Sequence, residues 1–119
     1  NEKELNDKIV KTNLKFDIII EDAGHYLKDQ IISLFILFRS LKNSGIFVIE
    51  ELDFPDIRHD MNILNERPTL RDILINIQEK KDFHSKYIKE EDKKYFLDHF
   101  KDIKIFKGRF NEIVFIRKK

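Results

Sequence analysis

The chain holds 119 residues, with 23 Lys plus Arg against 22 Asp plus Glu, 41% hydrophobic residues and a formal net charge of +1. That length allows one domain with one core and excludes a second, and the near-neutral charge lacks the basic footprint of a general nucleic-acid binder. The absence of cysteine excludes a disulfide framework, a thiolate metal centre and a cysteine nucleophile, and suits a reducing, cytoplasmic setting.

The first residues carry no apolar targeting segment, and Asn1 in place of Met leads us to expect a chain that begins inside a longer gene product. The first strong element is Phe16-Asp17-Ile18-Ile19-Ile20. Three successive β-branched residues, closed by Glu21-Asp22-Ala23-Gly24, predict a strand of a parallel sheet buried on both faces. Over residues 28–42 the positions Ile31, Leu34, Phe35, Phe38 and Leu41 recur at spacings of three and four, which predicts a helix with Asn43-Ser44-Gly45 as its stop. Within it, residues 31–38 form the longest nearly unbroken apolar run, far short of the roughly 18–20 residues that cross a bilayer, so a soluble chain with no membrane partner is expected. Ile46-Phe47-Val48-Ile49 then repeats the short apolar run, closed by Glu50 and Glu51. Strand, crossover helix and strand make a βαβ unit.

Residues 53–67, with mixed charge and Pro55, read as a loop at the carboxyl end of the second strand, carrying a short helix near 60–65. Asp53, Asp56, Arg58, His59 and Asp60 are the loop residues placed to touch a substrate, though a solvated loop is the default for such residues. Thr69 followed by Asp72, with Leu70, Ile73, Leu74 and Ile77 behind, predicts a capped helix over about 69–80. The mixed charges of 79–94 read as a solvated face. A further helix is expected near 90–100, and Ile103-Lys104-Ile105-Phe106 with Glu112-Ile113-Val114-Phe115-Ile116 read as a terminal antiparallel strand pair. His84 and His99 are expected at the surface or in packing.

Acids that follow two parallel neighbouring strands converge on one sheet edge, where ligands of open α/β sheets gather. Asp22, Glu50 and Glu51 fit that description, and His25 lies in the same turn as Asp22. Such carboxylates suit a hard divalent cation such as magnesium, and an imidazole titrating near pH ~6.5 suits a general base. The alternative for Asp22 or Glu21 is a capping role on the following helix, and for His25 a plain turn residue.

The run Phe16-Asp17-Ile18-Ile19-Ile20-Glu21-Asp22-Ala23-Gly24-His25, the helix with Gln30-Ile31, and Leu41-Lys42-Asn43-Ser44-Gly45-Ile46-Phe47-Val48-Ile49-Glu50-Glu51 together resemble the second half of class I S-adenosylmethionine-dependent methyltransferases. Within that class the resemblance is to the magnesium-dependent sugar O-methyltransferases that act on macrolide antibiotics, with their cephalosporin hydroxylase-like relatives. It implies an α/β fold: the second half of a Rossmann-like methyltransferase sheet, a parallel βαβ unit followed by helices and the antiparallel pair. It further implies S-adenosylmethionine and Mg2+ as cofactors, a metal held by Asp22, Glu50 and Glu51, and His25 as the base that deprotonates a hydroxyl of a sugar or similar small acceptor. The sequence departs from the family in several places. Glu21 and Glu51 stand where Asp is usual, Ala23-Gly24 replaces a Gly-Ser order, and Asn43-Ser44-Gly45 has lost a proline and the first glycine of its turn. With three glycines in all there is no glycine-rich cofactor turn, so residues 1–119 are expected to be one partial domain whose cofactor-binding half is missing. Two other readings use the same residues: a non-catalytic half-domain that associates with another chain or with itself, and a divalent-metal hydrolase, for which no nucleophile or phosphate loop is evident.

Overall fold

In the computed structural model, residues 14–21 and 26–119 are described. Residues 1–13, and Asp22, Ala23, Gly24 and His25, lie outside them. The described elements are β1 (Phe16–Glu21), α1 (Leu27–Leu37), a 3-10 turn (Phe38–Ser40), β2 (Leu41–Ile49), the one-turn α2 (Phe54–Ile57), a second 3-10 turn (His59–Met61), α3 (Leu70–Gln78), α4 (Glu90–His99), β3 (Phe100–Lys107) and β4 (Glu112–Lys118). They form an α/β fold with one mixed sheet in the order β1-β2-β4-β3. The β1–β2 pair is parallel and the other two pairs are antiparallel, so the expected βαβ unit and the terminal antiparallel pair are both present.

Four local expectations are corrected. The first helix stops at Leu37, and Leu41 is a buried strand residue opposite Phe16. Leu41 had matched the helical stripe because one buried position satisfies either period. The short helix of the middle loop falls at Phe54–Ile57, ahead of 60–65, since Pro55 sits in its first turn, where its fixed φ favours a helix start. β3 and β4 each extend beyond their apolar segments. Finally, β1 is not buried on both faces: Ile18 and Ile20 are 59% and 61% exposed. It is one of the two edge strands of the described sheet, and its outward face continues through Ile46, Val48, Phe115 and Phe106, the last two themselves partly open to solvent.

The core lies on the other face. Phe47, Ile49, Val114, Ile116 and Ile103 point inward and meet Ile31, Leu34 and Phe35 of α1, Leu70, Ile73 and Leu74 of α3, and Phe96 of α4. Phe96 is fully buried, with its ring centroid 5.0 Å from Phe35, 4.7 Å from Phe38 and 5.5 Å from Phe100. Such aromatic pairs add about 0.5–1.5 kcal/mol each beyond the area they bury. Arg39 clamps α4 to the end of α1: Nε and Nη2 donate to Asp92 Oδ1 at 3.1 and 2.9 Å, and the guanidinium lies 4.3 Å over Tyr95.

The start of α3 is built as expected. Thr69 Oγ1 accepts from the Asp72 N–H, while the Asp72 carboxylate accepts from the Thr69 N–H at 3.0 Å, closing a capping box worth about 1 kcal/mol. Thr69 Oγ1 also donates to Asp56 Oδ1 at 2.9 Å, and Arg67 bridges Asp56 and Asp72, so the loop that follows β2 is tied to α3. Burial pushes the Asp56 carboxyl above its usual range, against the pull of Thr69 and Arg67. For Asp72 burial acts the same way but is outweighed by the Thr69 N–H and Arg67, which leaves it below the usual range.

Asn43-Ser44-Gly45, expected as a helix stop, lies within β2, where the pairing with β1 shifts register between Phe16–Leu41 and Ile18–Ile46. Ser44 there has φ 66°, the left-handed conformation that glycine adopts freely. Gly45 is needed for a different reason: a Cβ there would lie 2.7 Å from Leu41 Cγ and 2.9 Å from the Asp17 carbonyl.

Candidate functional site

β1 and β2 run in the same direction and end level. Glu21 is in register with Ile49, and the Glu50 N–H donates to the Glu21 carbonyl at 3.3 Å. Residues that follow the two strands therefore leave the sheet at one edge, with neighbouring strands about 4.8 Å apart. Glu50 and Glu51 are both half-buried there. Asp22 and His25 lie outside the described residues. Of the four predicted site residues, two are thus located, and they stand beside the strand from which the segment carrying the other two departs.

Glu51 has φ 52°, a left-handed conformation that costs a non-glycine residue about 1–2 kcal/mol. Several contacts hold it. The Leu52 N–H donates to the Glu112 carbonyl at 2.9 Å, the Phe54 N–H donates to the Glu51 carbonyl at 3.3 Å, and Gln30 Nε2 of α1 donates to the same carbonyl at 2.9 Å. Asp53, expected in the substrate loop, instead points inward and accepts from the Glu112 N–H at 2.9 Å. Glu112 is in turn held by Arg71, whose Nε donates to it at 2.6 Å. The end of β2 is therefore a braced turn rather than a loose loop. Strain held by surrounding contacts is the kind of local cost that concentrates at functional sites.

The remaining loop residues divide. Asp56 is committed to Thr69 and Arg67, Arg58 pairs with Asp60 on the surface, and His59 is exposed. Beside them opens a cleft of about 370 Å³ between the start of α1 and the loop after α2, lined among others by Tyr26, Met61, Ile63, Leu64 and Tyr87. Tyr26, Ile63 and Leu64 are more than half exposed. One wall carries a polar pair: Tyr87 Oη donates to Glu66 at 2.6 Å, and the hydrogen bond, then burial, pushes the phenol above its ordinary pKa. A cleft of this size with apolar walls and a few fixed polar groups can seat a small amphipathic molecule.

The donor chemistry at the sheet edge fits a hard divalent cation, because Glu21, Glu50 and Glu51 offer only oxygen. Among the described residues no three His, Cys, Asp or Glu side chains are grouped closely enough to hold a metal ion. Also among the described residues, no helix is long and apolar enough to cross a membrane.

No protein-family model matches the chain, and no curated protein sequence matches it significantly. Solved structures do. MycE methyltransferase from the mycinamycin biosynthetic pathway, in complex with Mg and SAH, superposes on 99% of the chain with a TM-score of 0.69 at 21% sequence identity. A second crystal form of the same complex gives the same values. The chain spans 30% of the length of that methyltransferase. The chain thus has the α/β fold found in part of a methyltransferase that binds Mg and SAH.

Proposed function

We propose that the chain is part of an S-adenosylmethionine-dependent O-methyltransferase of the magnesium-dependent, sugar-modifying group. In this reading Asp22, Glu50 and Glu51 hold Mg2+, His25 is the general base, and the acceptor is a small hydroxylated molecule, a sugar or similar, in a cytoplasmic enzyme with no nucleic-acid or membrane partner. The observation that carries the proposal is the level ending of the parallel strands β1 and β2, from which the sequence runs on to Asp22 and His25 and to Glu50 and Glu51 respectively, in a fold shared with part of a methyltransferase.

The residues divide the work. Glu50 and Glu51, on a turn braced from three sides, hold their carboxylates in place. His25 takes the proton of the acceptor hydroxyl as its oxygen bonds to the methyl carbon and the sulfur–methyl bond breaks. When bound, a divalent cation polarises the acceptor hydroxyl, and S-adenosylmethionine supplies the methyl group. The cleft beside Tyr26 and Tyr87 offers apolar walls to the acceptor. Residues 1–119 form one partial domain in this reading, with the groups that grip the cofactor supplied from elsewhere in the parent protein.

The test is a calorimetric titration of S-adenosylmethionine into the intact parent protein, with and without Mg2+. Saturable binding is expected. Its absence in both conditions would end the methyltransferase reading.

One observation favours a second reading, a non-catalytic half-domain that works by association, as a homo-oligomer or with another chain. Ile18, Ile20, Phe106 and Phe115 leave an apolar sheet face open to solvent, and β1 is an edge of the described sheet. Sedimentation velocity of the 119-residue chain should then show a concentration-dependent dimer or larger species, and a strict monomer would count against it.

A further inference from the structure

The position that calls for explanation is Gln30. It is 1% exposed in the first turns of α1, whose other buried residues are all apolar. A buried amide on an apolar helix face is retained only where its hydrogen bonds matter. Its Nε2 donates to the Glu51 carbonyl at 2.9 Å across 21 residues of sequence, linking the helix that follows β1 to the turn that follows β2. The opposite amide orientation would set two acceptor oxygens against each other, which fixes the one described. The other amide atom, Oε1, is buried and has no hydrogen-bond partner among the described residues.

We infer that Gln30 is a positioning residue for the cation site at the end of β2, holding Glu51 in its left-handed conformation so that its carboxylate stays at the sheet edge; this rests on the cation-site reading above. Gln30 Nε2 reaches the Glu51 carbonyl from a different element, α1, whereas the Phe54 N–H that also donates to it belongs to the turn itself. Removing the cross-link from α1 is expected to loosen the left-handed turn and shift the carboxylate it carries. Its Oε1 is a buried acceptor left without a partner beside the same turn, a cost that marks the amide as kept for the bond its Nε2 makes.

The test uses Mn2+ as the probe, titrated into the full chain and followed by electron paramagnetic resonance, alongside thermal unfolding. Groups that orient metal ligands change affinity about 10–100-fold when removed, and Gln30→Leu is expected to weaken Mn2+ binding by at least tenfold while the melting temperature holds or rises. A merely structural Gln30 would do the reverse, lowering the melting temperature and leaving the affinity unchanged. Gln30→Met, closer in shape, serves if the leucine variant does not fold, and failure of both to fold would overturn the assignment. Glu51→Gln separates the two layers of argument. Wild-type binding lost in Glu51→Gln but intact in Gln30→Leu overturns the role of Gln30 and leaves the cation site standing. Absence of Mn2+ binding in the wild-type chain overturns both.

Discussion

Replacing Lys118 by methionine is expected to cost about 2–4 kcal/mol of folding stability, far more than a substitution of a surface lysine normally does. Lys118 is 3% exposed. Its Nζ donates to the Leu41 carbonyl at 2.7 Å, the Phe38 carbonyl at 3.3 Å and Tyr95 Oη at 2.7 Å. All three ammonium protons are therefore used, although among the described residues no carboxylate pairs with the charge. The cause lies in α1. Carbonyls at and beyond the end of a helix have no partner further along it, and they carry the negative end of the macrodipole. Phe38 and Leu41 sit in and just after the 3-10 turn that follows α1, and Lys118 supplies both the missing donors and the compensating charge. The Phe38 and Tyr95 rings, with centroids 5.5 and 5.0 Å from Nζ, add a cation–π component. Methionine keeps most of the volume and removes the charge and the donors, so it isolates the polar contribution from packing. A urea titration should show the midpoint moving down with little change in slope. A shift below about 0.5 kcal/mol would mean that water takes over the carbonyls, and the account of α1's end would fail.

The same residue shows where the sequence was legible. Strand β4 alternates inward and outward, and Glu112, Val114, Ile116 and Lys118 are all buried. The strand from Glu112 to Ile116 was readable from its apolar run. The burial of Glu112 and the extension to Lys118 were not, because a lone Glu or Lys at a strand end normally faces water. Extending the period of two by one step in each direction would have placed Glu112 and Lys118 inside, and each has its partner: Arg71 for Glu112, and the carbonyls of Phe38 and Leu41 for Lys118. The βαβ unit, the Thr69 capping box and the terminal strand pair were legible because each depends on local periodicity or on a fixed short spacing. The exposure of β1 was not, since a run of β-branched residues does not reveal whether a second layer covers its outer face.

The site was legible in kind rather than in detail. Glu50 and Glu51 stand out because acids interrupt an apolar run, and the parallel pairing of β1 and β2 follows from the length of the crossover. Gln30 carries no such signal, as an amide in a helix is commonplace. Its importance rests on a contact made 21 residues away. Asp53 misled for the opposite reason. It read as a loop acid, solvated by default or placed to touch a ligand, yet it accepts from the Glu112 backbone and helps close the turn on which Glu50 and Glu51 are carried.

His25→Ala, made in the intact parent protein, is expected to lower methyl transfer by about 10²–10⁴-fold, the usual contribution of a positioned base. The expectation follows from the proposed function. A hydroxyl keeps its proton near neutrality, so its oxygen attacks carbon poorly unless a base accepts that proton in the same step. An ordinary imidazole titrates near pH ~6.5. It works as a base only when neutral, so the wild-type rate should fall toward acid pH as the ring takes up a proton and level off once it is neutral. The alanine variant should lose that acid limb and rise steadily with pH instead, following the fraction of ionised acceptor. Mn2+ affinity should stay at the wild-type value, because His25 holds no cation in this scheme. That separates its role from those of Asp22, Glu50 and Glu51, whose amide variants should lose Mn2+ binding and activity together. A folded His25→Ala protein with an unchanged rate and an unchanged pH profile would remove histidine from the chemistry. An unchanged profile with a reduced rate would instead make it a residue that shapes the turn between β1 and α1.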